Sequence, residues 1–262
     1  MTARAPGTAV PSRSASTLAL WASLDVTVNG EDQNGLALSL RPGMTVSGHV
    51  VYDGLAKPPD DLSRIAINLA ATSPDSGVAR PSQESVFADG RFTLSGVAPG
   101  RYRLSAILSR SEARVSGSTA QWFLKSALWN GQDILDSALE VAPGQDVTDV
   151  TVVFGARPTD LSGTLFDVLN HPVADHVVVV FPTDRSLWTQ DSRRIRQAAL
   201  GTDGRFRFAG LPSGEYYLGA VNRADPVNLS DTALLEKIAR VALRATLADG
   251  EQKVQNLRLG GT

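Results

Sequence analysis

The chain contains no cysteine, which excludes disulfides, thiolate metal sites and cysteine nucleophiles. Histidine is nearly as scarce, with His49, His171 and His176 the only three in 262 residues. His171 and His176 flank Asp175 in His-Pro-Val-Ala-Asp-His, a spacing that fits no common metal motif. They read as a turn followed by the start of a strand. A dominant charge is missing too: 25 Lys+Arg face 27 Asp+Glu, a net charge of −2. That balance removes the electrostatic footprint of a nucleic-acid binder. No apolar run approaches the ~20 residues of a membrane helix. No apolar stretch follows Met1-Thr-Ala-Arg4 to make a secretion signal.

Catalytic patterns are equally thin. There is no Gly-x-Ser-x-Gly elbow, so Ser116 reads as a loop serine. Neither Asp60-Asp61 nor Thr202-Asp-Gly204 carries the alternating oxygen donors and closing Glu of a calcium loop. The acids sit mostly in turns (Asp89, Asp203, Asp249) or alternate outward, so no glycosidase-like pair stands out. No catalytic residue, metal site or cofactor is expected.

What is abundant is turn chemistry. The chain has 23 glycines and 14 prolines between short apolar runs, with 42% hydrophobic residues, the composition of an all-β protein with a packed core. Apolar residues recur at every second position, as strand geometry demands. Met44, Val46, Val50 and Tyr52 share one face, as do Tyr102, Leu104, Ala106 and Leu108, and Val150, Val152 and Phe154. Val177–Phe181 has no polar face and reads as a strand covered on both sides or meeting another module on its outer face.

A block of sequence occurs twice. Ala88-Asp-Gly-Arg-Phe-Thr-Leu-Ser-Gly-Val-Ala-Pro-Gly-Arg-Tyr102 returns as Thr202-Asp-Gly-Arg-Phe-Arg-Phe-Ala-Gly-Leu-Pro-Ser-Gly-Glu-Tyr216, 114 residues later. Ser47-Gly48 returns as Ser162-Gly163 at an offset of 115. The period exceeds that of solenoid repeats and predicts two sandwich-sized modules in tandem, residues 43–156 and 157–262. Gly90 and Gly204 supply tight turns. Phe92 and Phe206 point inward. Tyr102 and Tyr216 follow a bend, ring in the core and hydroxyl on nearby backbone, as in the tyrosine corner of immunoglobulin-like sandwiches. Each module offers about seven strand candidates. The exception is Asp231–Arg240, where Leu234, Leu235 and Ile238 are spaced for a helix capped by Ser230 or Asp231 and expected to cross between the sheets.

Residues 1–17 are small and polar and predict a flexible arm. Beyond them Leu24, Val26 and Val28 alternate, then Leu36, Leu38 and Leu40, and Asn29-Gly-Glu-Asp32 echoes Asn130-Gly-Gln-Asp133. Residues 1–42 therefore read as an arm plus the closing strands of a partial preceding module.

Asp-Gly-Arg-Phe followed by Gly-x-x-x-Gly-x-Tyr-x-Leu resembles the signature of carboxypeptidase-regulatory-like domains, which are transthyretin-like (prealbumin-like) sandwiches related in shape to Cna-B surface modules. Residues 210–218, 234–236 and 247–251 resemble the tandem versions in large secreted bacterial proteins. The resemblance implies an all-β chain of two tandem transthyretin-like (Ig-like), seven-stranded β-sandwiches, with an N-terminal partial module and one short helix in the second. It further implies a non-catalytic, extracellular or cell-surface structural or adhesive array. It carries no catalytic residue. A Lys–Asn or Lys–Asp crosslink of the Cna-B kind would have to use Lys57, Lys125, Lys237 or Lys253, the only lysines.

Two recognition features remain. Trp188 sits in a polar loop with Arg185 and Arg193 near it, a place where a loop on a rigid scaffold would meet a ligand, with a glycan stacked on the indole as the alternative role. The alternating segment 18–41 has unpaired edges, and its expected use is strand addition to another copy of the chain, giving head-to-tail assembly.

Overall fold

The computed structural model describes residues 19–260, apart from 25, 31, 33, 73–81, 109–112, 114–120, 190–191 and 225–227. The expected arm at residues 1–17 and Ser116 lie outside the described residues. Near the N-terminus, β1 (Leu20–Trp21) and β2 (Arg41–Pro42) form a two-stranded pairing. The first sandwich contains β3 (Met44–Asp53), β4 (Ala66–Ala71), β5 (Ser82–Ser85), β6 (Arg91–Val97), β7 (Gly100–Ile107), β8 (Phe123–Trp129), β9 (Gln132–Asp133), β10 (Leu139–Val141) and β11 (Val147–Gly155). One sheet has the order β10-β7-β4-β5, and the sheet facing it β6-β3-β11-β8-β9.

The second sandwich contains β12 (Asp160–Phe166), β13 (His176–Pro182), β14 (Arg196–Ala199), β15 (Arg205–Ala209), β16 (Gly214–Asn222), the helix α1 (Thr232–Ala239), β17 (Leu243–Leu247), β18 (Gln252–Val254) and β19 (Leu257–Arg258). Its sheets run β15-β12-β18, with β19 also on β12, and β14-β13-β16-β17. Strands outnumber the expected seven because the first sandwich adds the β8–β9 hairpin and the last strand of the second breaks in two. β18 and β19 are two parts of one edge, both parallel to β12, just as β11 lies parallel to β3.

The period-two rows become two separate cores. Phe92, Tyr102, Leu104, Val150 and Phe154 are buried in the first, and Leu161, Val178, Phe206, Phe208 and Tyr216 in the second. Burying each such side chain contributes roughly 1.5–3 kcal/mol before the entropy of ordering it. Tyr102 Oη donates to Ala98 O at 2.8 Å, and Tyr216 Oη to Pro212 O at 2.6 Å, so each buried hydroxyl keeps a partner. Gly90 and Gly204 have φ of +85° and +72°, in the left-handed region that disfavours any Cβ.

The repeated Ser-Gly has a packing cause. A Cβ on Gly48 would collide with Val150 O, and one on Gly163 with Gln255 O. In both sandwiches the final strand passes so close to the first that only hydrogen fits.

Val177–Phe181 is covered on both faces. Val178 and Val180 enter the core, while Val179 and Phe181 pack with Leu235 and Ile238 of α1. The helix does not cross between the sheets as expected. It lies on the outer face of the β13–β16 sheet, where a Cβ on Gly219 would strike Ile238. Asp231 caps it, accepting from Ala233 N at 2.9 Å.

The expected strands in residues 18–41 shrink to β1 and β2. Gly43 N donates to Ala19 O at 3.0 Å and Trp21 Nε1 to Pro42 O at 3.1 Å. Between these anchors Leu24, Val26, Val28, Leu36, Leu38 and Leu40 lie outside any strand, 41–80% exposed. The pattern is amphipathic, but no sheet among the described residues offers it a partner.

Candidate functional site

The chemistry concentrates where the two sandwiches meet. Asp133 ends the tight Asn130-Gly131 hairpin between β8 and β9, its Oδ1 accepting from Ala127 N at 3.0 Å and Leu135 N at 3.1 Å. That leaves Oδ2 to face the second sandwich. Asp136 follows one turn later, with Asp136 N donating to Asp133 O. From the other side, the turn closed by Ile195 N on Ser192 O presents Arg193 and Arg194 just before β14.

The four charges interlock. Arg193 Nη2 reaches Asp133 Oδ2 at 2.5 Å, its Nε reaches Asp136 Oδ1 at 2.6 Å, and its Nη1 donates to Lys125 O at 2.7 Å. Arg194 Nε donates to Asp136 Oδ2 at 2.7 Å, while its Nη1 reaches Ser213 O at 2.9 Å and Tyr216 Oη at 3.2 Å. The Asp136 side chain is 5% exposed. Planar guanidinium forks match carboxylates in this way and lysine would not. Two cations and two anions leave no net charge, so the penalty of burial is offset within the cluster. Burial pushes the Tyr216 hydroxyl above the usual tyrosine pKa, and Arg194 pulls it part of the way back. Burial opposes the charge on Arg194, but Tyr216 and Asp136 hold its pKa above the ordinary value.

Lys125 makes a second bridge. Its Nζ ion-pairs with Asp53 of the first sandwich and with Asp249 of the second, the latter at 2.5 Å. Burial lowers its pKa, but Asp249 and Asp53 outweigh burial and hold it above the normal lysine value. A cleft of about 190 Å³ lies here, lined by Lys125, Asp133, Arg193, Arg194, Leu211 and Asp249.

Of the three ligand-binding candidates, Trp188 and Arg185 meet and Arg193 does not join them. Arg193 is committed to the junction. Trp188 Nε1 donates to Pro182 O at 2.8 Å, and its ring packs edge-on to Phe181 at 5.4 Å between centroids. Arg185 lies over that ring at 5.6 Å and pairs with Glu236 of α1 at 3.0 Å. Trp188 is half-buried on the outer face of the β13–β16 sheet beside the helix. His171 faces Asp167 at 3.5 Å, His176 faces Asp175 at 2.6 Å, and His49 lies 3.4 Å from Thr151 Oγ1, so the histidines stand apart. Asp61, Asp89 and Asp203 accept from the backbone N–H two residues on. Among the described residues no helix is long and apolar enough to cross a membrane.

Sequence reasoning missed Asp133, Asp136, Lys125 and Asp249 as partners. The adjacent Arg193-Arg194 was visible, but its acids lie 57–60 residues away along the chain, and a single sequence carries no sign of such a pairing.

No family model matches the chain, and no curated protein matches it. Among solved structures, a streptococcal ancillary pilin is similar at 17% identity over 85% of this chain and 64% of that one, with a TM-score of 0.32. A minor pilin from Streptococcus agalactiae gives 10% identity, coverage of 82% and 95%, and a TM-score of 0.32. The pilus backbone protein of Streptococcus pneumoniae gives 9%, coverage of 82% and 64%, and 0.24. The chain thus spans less than two thirds of the ancillary pilin and of the backbone protein. Superpositions this loose carry neither architecture nor role across; the fold rests on the strand topology described above.

Proposed function

We propose that this chain is a non-catalytic structural array in which residues 43–156 and 157–262 are two domains of the carboxypeptidase-regulatory-like kind, working outside the cytoplasm as a stiff spacer or adhesive stalk. Residues 1–42 form the arm and linking strands, and the partners are other protein modules, foremost copies of the same chain joined through residues 18–41. The Arg193–Arg194–Asp133–Asp136 cluster is the observation that carries this reading. A loose pair of domains would have exposed, hydrated charges at its linker. Here Asp136 is almost fully buried between the sandwiches and bonded to both arginines, which fixes their relative orientation. Arginine and aspartate are spent on a joint.

Negative-stain micrographs of the pure chain at rising concentration test the proposal. Linear filaments are the expected result. Single particles at every concentration, together with glycan-array binding that disappears in Trp188→Ala, would replace it with the carbohydrate-binding alternative.

A further inference from the structure

Among the described residues the second sandwich has a vacant strand position, and residues 21–43 carry the sequence of the strands that would fill it. In the first sandwich, the chain between β7 and β10 forms the β8–β9 hairpin, and β8 lies antiparallel to the outer side of β11, Thr151 opposite Leu128 and Phe154 opposite Leu124. The corresponding chain between β16 and β17 is α1, which has moved to the outer face of the other sheet. The outer side of β18–β19, the counterpart of β11, therefore has no strand beside it among the described residues. A groove of about 890 Å³ opens there, lined in part by Phe166, Leu218, Val241, Leu243 and Leu257. Val241 is 69% and Leu243 41% exposed, whereas in the first sandwich Ala127 of β8, together with Ile134 and Leu135, is buried in the core.

The N-terminal segment repeats that missing piece. Trp21, Asn29-Gly30, Asp32, Ala37-Leu38, Pro42-Gly43 and Val46 match Trp122, Asn130-Gly131, Asp133, Ala138-Leu139, Pro143-Gly144 and Val147, every pair 101 residues apart. Between Trp21 and Arg41 the chain leaves the first sandwich and returns to the same spot. Leu24, Val26 and Val28 fall at β8 positions, yet are 44%, 41% and 80% exposed.

We infer that the hairpin centred on Asn29-Gly30 of one chain inserts beside β18–β19 of a second copy, filling the groove and completing its sandwich as β8–β9 completes the first. This rests on the head-to-tail reading above and names its acceptor. In a β-addition of this kind the edge supplies main-chain hydrogen bonds and the groove takes alternate side chains. Donor and acceptor are different surfaces at opposite ends of the chain, so the contact is heterologous and each addition leaves a free donor and a free acceptor.

Sedimentation velocity on the whole chain tests this with two variants. Val26→Asp disables the donor and Val241→Asp the acceptor, both at exposed positions that leave the monomer folded, with Leu243→Asp as a second acceptor variant. Removing one buried apolar contact and placing a carboxylate there weakens self-association by at least about a hundredfold, so each variant alone is expected to be monomeric. Mixed together, they should form a capped one-to-one dimer, because Val241→Asp still offers a donor and Val26→Asp an acceptor. If Val26→Asp abolishes association while both acceptor variants associate normally, the acceptor assignment is overturned and head-to-tail assembly stands. A wild-type chain that stays monomeric at all concentrations overturns both.

Discussion

Replacing Asp136 by Asn changes almost no volume and removes one charge from a site that is nearly closed to water. Its carboxylate receives Arg193 Nε at 2.6 Å and Arg194 Nε at 2.7 Å. The amide can accept at only one atom, so at least one guanidinium faces an NH₂ instead of an oxygen. Arg193 keeps Asp133 and is 25% exposed, while Arg194 is 15% exposed with only neutral partners left. Breaking a buried pair from one side costs roughly 3–5 kcal/mol because the remaining charge is uncompensated. Partial access of water to Arg193 places the expected loss near the lower end, about 3 kcal/mol. For a cooperative unit of this size that is a fall in Tm of roughly 6–12 °C. The cluster also joins the sandwiches, so one calorimetric transition should divide into two. A loss under about 1 kcal/mol with a single retained transition would refute the reasoning.

The core and its corners give further predictions. Tyr216→Ala should cost roughly 3–5 kcal/mol in urea denaturation, since it removes a fully buried ring; a loss below about 1 kcal/mol would mean that the ring is not in the core. Burial raises the Tyr216 pKa above the ordinary tyrosine value, so the protonated hydroxyl is favoured in the native state. Its contribution is complete below the unfolded pKa and declines as pH rises through the folded one, and the urea midpoint should drop above about pH 10, less steeply in Tyr216→Phe. Gly163→Ala should destabilise by roughly 1–3 kcal/mol through overpacking against the last strand, and Gly48→Ala similarly, measured by thermal melts. Lys125→Ala should cost under about 1 kcal/mol, because both partner carboxylates are half-exposed; double-mutant cycles with Asp249→Ala measure the coupling.

Much of the architecture was legible because it is written in local patterns. Alternation placed β3, β7 and β11, and the duplicated Asp-Gly and Gly-x-Tyr blocks placed the turns and corners. The Ser-Gly repeat was legible as a repeat but not as a cause, since the close pass of Val150 and Gln255 belongs to strands far away in sequence. The helix was found from its spacing, yet its side of the sheet was not. That depends on Gly219 leaving room for Ile238, a contact that no periodicity reports. At the joint, Arg193-Arg194 and Trp188 looked alike as loop residues. Only the fold separates them, sending the arginines to the other sandwich and folding the indole down onto Phe181. In residues 18–41 the alternation was real, but alternation records a face to be buried and does not say what buries it.

The absence of cysteine makes the central claim directly measurable. Introducing cysteines at Thr93 in β6 and Thr246 in β17, both exposed, permits spin labels at two defined points only, one on each sandwich. Pulsed electron resonance should then report one narrow distance in the native chain and a broad spread once Asp136 is changed to Asn. A broad spread with Asp136 intact would mean that the sandwiches swing freely, and the stiff joint on which the proposed role depends would not exist.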